Sequence, residues 1–311
     1  MQPLKIAIGD YGLTRPLKDR SIEFQEIKPA FIEVAPIRAA MRRMVRSLEF
    51  DICEMAFTTY LCAKDQGKPI TAIPVFLTRN FHHWAMLHNV KAGIRNPKDL
   101  EGRKVAVNRG YTVTTGLWAR GILEHEYGVD LNNINWLPTD DEHVAEYKAP
   151  ANVDYSYRGM SAGDLLLSGD VDAAVGDVRA DSPDIRPIIG DAAEAGFAYF
   201  RKTGVYPINH GLVVKNSLLQ SDPELAQKIF TSFRAAKKIY LAHLAAGQNA
   251  SRADESAIAL SRVVGDPFPY GVEANRKAIE TMVQFALEQK IISQRFSPEE
   301  LFAPNTLNLS D

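Results

Sequence analysis

Apolar and polar positions follow two rhythms along this chain. LKIAIGDY, residues 4–11, is a short apolar run closing on Asp10 and Tyr11, and it reads as a strand. Between residues 36 and 48, Ile37, Ala40, Met41, Met44, Val45 and Leu48 recur at the spacing of an amphipathic helix. EFDICEMA then reads as a strand, TTYLCAKDQG as a helix that Thr58 or Thr59 would cap, and ITAIPVFL as another strand. Strand and helix alternate, which predicts βαβ units on a parallel sheet.

The rhythm restarts near residue 90. NPKDLEG is a turn, KVAVN a strand, and LWARGILEHEYG a helix closed by Gly128. LLLSGDVDAAVGD is a helix end, a turn and a short buried strand, and GLVVK a returning strand. Beyond residue 215 the pattern is helical, with Ser221 expected as an N-cap, while 247–271 reads as loop-rich. The fold class expected is α/β with two lobes and a ligand cleft between them. Residues 1–85 plus 210–311 form lobe 1, and 86–209 form lobe 2.

Composition adds bounds. The chain has 311 residues, 46% hydrophobic and 24% charged, with a formal net charge of -2. That balance gives no footprint for nucleic acid or an anionic membrane, and no stretch approaches a membrane span. The cluster Arg38, Arg42, Arg43 and Arg46 lies opposite the apolar stripe of its helix and reads as a solvated face. Cys53 and Cys62 sit in apolar contexts without zinc spacing, as buried thiols would. No apolar leader precedes the first strand, so a cytoplasmic protein is expected. The oligomeric state stays open, a homo-oligomer included.

The chemistry concentrates at strand ends. PVFLTRNFHHWAML places Arg79, His82 and His83 inside an apolar stretch, where charge is costly without a partner. Either Arg79 pairs with an internal carboxylate or the group serves an anionic ligand. Glu54 interrupts the apolar strand FDICEMA, as a partner for Arg79 or as an acid–base group. Asp10 and Asp177 end strands, and His210 lies where the chain returns to lobe 1. NRGYTVTTG, with Arg109, Thr112, Thr114 and Thr115, leads into a helix whose N-terminus could hold an anion. His83, His88, His210, Glu54 and Asp177 supply the ligand types of a two-His, one-carboxylate metal site, but no HxH or HExxH spacing supports it. No GxSxG elbow occurs.

FDICEMAFTTYL, IPVFLTRNFHH, DLEGRKVAVNRGYTVTTGLWARGILEHEYGV, TGVYPINH and DPFPYGVEANRK, with the ending EELFAP, resemble in order the 4,5-dihydroxyphthalate decarboxylase family. The resemblance implies a type II periplasmic-binding-protein-like fold recruited as an enzyme. It implies decarboxylation of a hydroxylated aromatic dicarboxylate, with a small aromatic carboxylate as partner; no organic cofactor is expected, and assistance by a divalent metal stays open. It also implies Arg79 as carboxylate clamp, His83 as proton donor oriented by Glu54, and His210 toward the phenolic hydroxyls, with the choice of donor between the two histidines left open. His82, Arg109, Thr112, Thr114, Thr115, Asp177 and Asp10 would line the substrate. A binding protein for an aromatic carboxylate is the alternative.

Overall fold

A computed structural model of the chain describes residues 2–247 and 251–311. Its strands are β1 (Leu4–Ala7), β2 (Pro29–Phe31), β3 (Ile52–Ala56), β4 (Ile70–Arg79), β5 (Met86–Asn89), β6 (Lys104–Val107), β7 (Asn135–Pro138), β8 (Ala173–Val175), β9 (Ile185–Pro187) and β10 (Ile208–Lys215). The helices are α1 (Arg15–Lys18), α2 (Arg38–Ser47), α3 (Phe57–Asp65), α4 (Thr114–Tyr127), α5 (Ala162–Ser168), α6 (Ala192–Thr203), α7 (Asn216–Ser221), α8 (Leu225–Ala246), α9 (Arg252–Val264), α10 (Arg276–Glu288) and α11 (Pro298–Leu301). None of the helices among the described residues is long and apolar enough to cross a membrane.

The chain divides into two compact units. The first comprises Met1–Arg79, Ile208–Glu280 and Phe296–Asp311, and the second Asn80–Pro207 and Thr281–Arg295. The sequence had placed 281–295 with lobe 1. It belongs to the second unit because Phe285 fills the space that Gly121 leaves without a side chain, and a Cβ there would meet the ring at 2.0 Å. Gln289 completes the attachment: its Oε1 accepts from Arg120 Nε at 2.8 Å and its Nε2 donates to the Leu117 carbonyl at 3.0 Å.

The first unit carries a five-stranded sheet in the order β2-β1-β3-β10-β4. β1 runs parallel to β2 and β3, whereas β10 is antiparallel to both β3 and β4. The sheet is therefore mixed, not parallel throughout as βαβ alternation predicts, because the returning strand inserts between two strands of the first series. All five residues of β3 are buried, as a strand covered on both faces requires. α8 contributes Phe230 and Phe233 to the core beside Ile6, Ile52, Ile73 and Leu212. Each such side chain contributes roughly 1.5–3 kcal/mol by leaving water.

The second unit has the order β7-β6-β8-β5-β9, with β6 parallel to its neighbours and β5 antiparallel to β8 and β9. Its core includes Ala106, Leu137, Leu165, Leu166 and Ala174. Gly128 ends α4 in the left-handed region, φ 67°, as its sequence position predicts.

Three local expectations differ from the structure. α3 starts at Phe57 with Ala56 as N-cap, so neither Thr58 nor Thr59 caps it. Ser221 ends α7, and Glu224 precedes α8. The stretch read as loop contains α9, opened by a capping box between Ser251 and Asp254. Elsewhere the reading holds: α2 buries Ala40, Met41, Met44 and Val45, with Arg38, Arg43 and Arg46 exposed and Arg42 partly so. Both cysteines are free and buried.

Candidate functional site

β1 and β3 end at the same edge of the first sheet, and β4 and the start of β10 meet there too. Glu54 lies opposite Leu212, and Ala56 opposite His210, so Glu54 and His210 are diagonal neighbours on one face. His210 Nδ1 and Glu54 Oε1 are 2.6 Å apart. A carboxylate only accepts, so Nδ1 carries the proton and Nε2 is the atom left for other chemistry.

Glu54 is wholly buried, and three donors surround it. The Gly9 N–H donates to Oε2 at 2.8 Å, while the Tyr11 hydroxyl donates to Oε1 at 2.9 Å beside His210. Burial and the nearby Glu54 charge both push the Tyr11 phenol far above its ordinary range, which keeps it a donor. The imidazole itself is about one-quarter exposed. A buried carboxylate holding a partly exposed imidazole in one orientation can stabilise that ring as it gives or takes a proton.

Arg79 ends β4 opposite Ile208. Its Nη2 donates to Asn275 Oδ1 and, at 3.5 Å, to the Pro269 carbonyl, and the guanidinium lies 5.2 Å from the Phe76 ring centre. Asn275 is 3% exposed, and its Nδ2 donates to the carbonyls of Pro269 at 2.9 Å and Gly271 at 2.7 Å. The DPFPYGVEANR stretch thus folds around one amide that grips Arg79. Both acceptors that this stretch offers Arg79 are neutral, and a planar guanidinium is the side chain suited to forked pairing with a carboxylate.

His82 and His83 belong to the second unit. Both are buried. The His83 ring packs 5.7 Å from that of Tyr199. Burial lowers its pKa to about 4, against the opposing charge of Glu126, and its Nδ1 finds no hydrogen-bond partner among the described residues. His83 is therefore a neutral, enclosed ring at neutral pH. The imidazole that Glu54 bonds within its own unit is that of His210.

The loop before α4 does bind a carboxylate, but it is the chain's own. Glu142 accepts from the Tyr111 and Thr112 N–H groups at 2.5 and 3.0 Å, and from the Thr112 and Tyr155 hydroxyls at 2.6 and 2.7 Å. A Cβ at Gly110 would meet Glu142 Oε2 at 2.6 Å, so glycine is needed for the approach. Arg109 adopts φ 76°, its N–H donates to Thr139 Oγ1 at 3.0 Å, and its carbonyl accepts from the Thr139 N–H at 2.9 Å. Thr114 and Thr115 are buried in the first turn of α4, and Thr112 is committed to Glu142. Asp10 is exposed and paired with Arg15 at 3.3 Å, and Asp177 is exposed.

Sequence reasoning missed Tyr11 and Glu142. The run TDDEHV straight after β7 was the available signal for Glu142, and DYG after β1 for Tyr11. Neither was Glu124–His125–Glu288 nominated, where one ligand atom from each lies within 4.8 Å of the others. Of the five metal ligands suggested by type, Glu54 and His210 bond to each other.

Residues 35–245 match the family model described as NMT1/THI5 like. The chain belongs to this family. A 4,5-dihydroxyphthalate decarboxylase of Comamonas testosteroni is 28% identical over 325 residues, spanning 98% of this chain and 97% of that protein. One of Pseudomonas putida is 29% identical over 181 residues, covering 56% and 69%. The relation to these decarboxylases read from the motifs thus extends along nearly the whole chain. Among solved structures, the periplasmic aliphatic sulphonate-binding protein SsuA of Escherichia coli aligns with a TM-score of 0.56 at 14% identity, covering 99% of this chain and 100% of SsuA. The desulfurization enzyme DSZB aligns at 0.54, also at 14% identity, covering 99% and 98%. These likenesses establish a periplasmic-binding-protein fold for this member of the family.

Proposed function

We propose that this chain is a carboxy-lyase that converts 4,5-dihydroxyphthalate to 3,4-dihydroxybenzoate and CO2, a step of phthalate degradation. The observation that carries the reading is the Glu54–His210 hydrogen bond at the sheet edge where Arg79 also ends its strand. Similarity to decarboxylases along nearly the full length supports the substrate class.

Direct loss of CO2 would leave an electron pair in the plane of the ring, which is prohibitively unstable. Prior protonation removes the obstacle. The Nε2–H bond of protonated His210 breaks and a C–H bond forms at the carbon bearing the leaving carboxylate. The para hydroxyl oxygen supplies the electron density and becomes a protonated carbonyl. The C–CO2 bond then breaks, its electron pair restores the aromatic ring, and CO2 departs. His210 regains its proton from solvent, so each turnover consumes one proton. Glu54 holds the imidazole and stabilises its charged form, and positioned acid–base groups of this kind contribute roughly 10²–10⁴-fold. Arg79 holds a substrate carboxylate, with Asn275 fixing the fork.

The substrate's own para hydroxyl is the electron sink, so the proposal calls for no organic cofactor. The test is incubation with 4,5-dihydroxyphthalate, with and without a chelator, while CO2 and 3,4-dihydroxybenzoate are quantified. Turnover that survives chelation and is lost in His210→Gln supports the mechanism. Turnover that needs an added divalent ion revises it. Saturable binding without CO2 release would instead make this a binding protein for an aromatic carboxylate.

A further inference from the structure

Two donors share one oxygen of Glu54: the Tyr11 hydroxyl at 2.9 Å and His210 Nδ1 at 2.6 Å, both on Oε1. We propose that Tyr11 is a positioning residue for His210, fixing through Glu54 where the imidazole points and how strongly the carboxylate draws on Nδ1–H. Its effect on turnover rests on the decarboxylase reading, whereas its effect on the Glu54–His210 bond does not.

The loop IGDYG is shaped to deliver this hydroxyl. Gly9 gives its N–H to Glu54 Oε2, and a Cβ on it would meet the Tyr11 ring at 2.5 Å. Thr14, fully buried, donates to the Gly9 carbonyl at 2.7 Å and accepts from the Tyr11 N–H at 2.9 Å, closing the loop on itself. Gly12 lies so close under the Tyr240 ring that a Cβ would sit 2.0 Å from it. Backbone and ring are therefore both constrained before the hydroxyl reaches Glu54.

Because Glu54 has no exposed surface, no solvent reaches the carboxylate to replace a lost donor. Phenylalanine would fill the ring's place and lack only the hydroxyl. With one donor gone, Oε1 would draw on His210 Nδ1–H alone and more strongly, while losing the second anchor that fixes the carboxylate's orientation.

Tyr11→Phe is the test, read in two independent ways. In turnover of 4,5-dihydroxyphthalate, kcat is expected to fall about tenfold, the loss of one hydrogen bond to a charged group, while KM stays within twofold. In proton NMR of the free protein, the hydrogen-bonded Nδ1–H of His210, identified by its loss in His210→Gln, is expected to move downfield. The second reading stands even if the protein decarboxylates nothing. An unmoved resonance overturns the proposal, and so does unchanged kcat in an active enzyme. A raised KM with unchanged kcat would also overturn it, by making Tyr11 a substrate contact. Should Tyr11→Phe fail to fold, Thr14→Val loosens the same loop without touching Glu54. It is expected to shift the resonance in proportion to its loss of kcat, and no shift counts against the proposal.

Discussion

Glu54 and His210 come from strands 156 residues apart and meet at 2.6 Å because β10 enters the sheet antiparallel, beside β3. In a sheet whose return strand lay at the edge, the two residues would not be diagonal neighbours. The chain crossing that builds the mixed sheet is thus what assembles the acid–base pair. Their roles can be separated by substitution.

Glu54→Gln keeps the volume but replaces an acceptor-only group with one that must present an NH2 toward Gly9 N–H, Tyr11 O–H or His210 Nδ1–H. Even where the Tyr11 hydroxyl or the imidazole turns to accept from that NH2, the negative charge that stabilises a protonated His210 is lost. A loss of kcat of at least about 10²-fold is expected, with KM little changed. Steady-state kinetics measures it, and near-normal kcat would remove Glu54 from the mechanism.

Arg79 and Asn275 should separate binding from chemistry in the opposite sense. Asn275→Ala leaves Arg79 without its amide anchor, and a KM about tenfold higher is expected with kcat largely retained. Arg79→Ala should abolish saturable binding of the dianion. Calorimetric titration of both variants provides the check, and unchanged affinity in Arg79→Ala would dismiss the clamp.

His83 predicts a pH dependence of stability. Its folded pKa, about 4, lies below the ordinary value of 6.5. The unfolded chain therefore binds more protons between these values, and stability falls as pH drops from about 6.5 toward 4. The contribution is on the order of 3 kcal/mol when complete. Urea melts of wild type and His83→Gln across this window test it, since the variant should lose that part of the slope.

Glu142→Ala would strand two N–H groups and two hydroxyls that now share one carboxylate. Destabilisation of about 3 kcal/mol is expected, with partial recovery in acetate or formate, which fit the emptied space. Denaturant midpoints with each salt, against chloride at equal ionic strength, decide the matter. Wild type should show no comparable response to acetate.

Much of this site is legible in the sequence because its residues break local rules. Glu54 and Arg79 are charges inside apolar strands, and such positions need partners that only a fold supplies. The partners themselves are not legible. Glu54 could pair with any cation or imidazole brought near it, and the choice of His210 depends on strand order, which periodicity does not encode. His83 looks as reactive as His210 in one dimension, and only the fold shows that His83 is enclosed while His210 is partly exposed and bonded to Glu54. The anion-binding character of 108–116 was readable from Gly110 and the threonines, whereas its occupant arrives from a long irregular segment after β7. Asn275 was visible only as part of a motif, its role hidden until Arg79 was seen in its grip.

The fit of Gly9 beneath the Tyr11 ring makes these two positions a single unit of variation. An engineer who randomises position 9 alone is expected to recover mainly glycine, because an added Cβ meets the ring at 2.5 Å and must displace it from Glu54. Releasing position 9 requires shrinking residue 11 in the same clone, and that change also silences the hydroxyl on Glu54. Two-site libraries at 9 and 11 would therefore reveal, from survivors alone, whether selection acts on the shape of the loop or on the hydrogen bond it delivers.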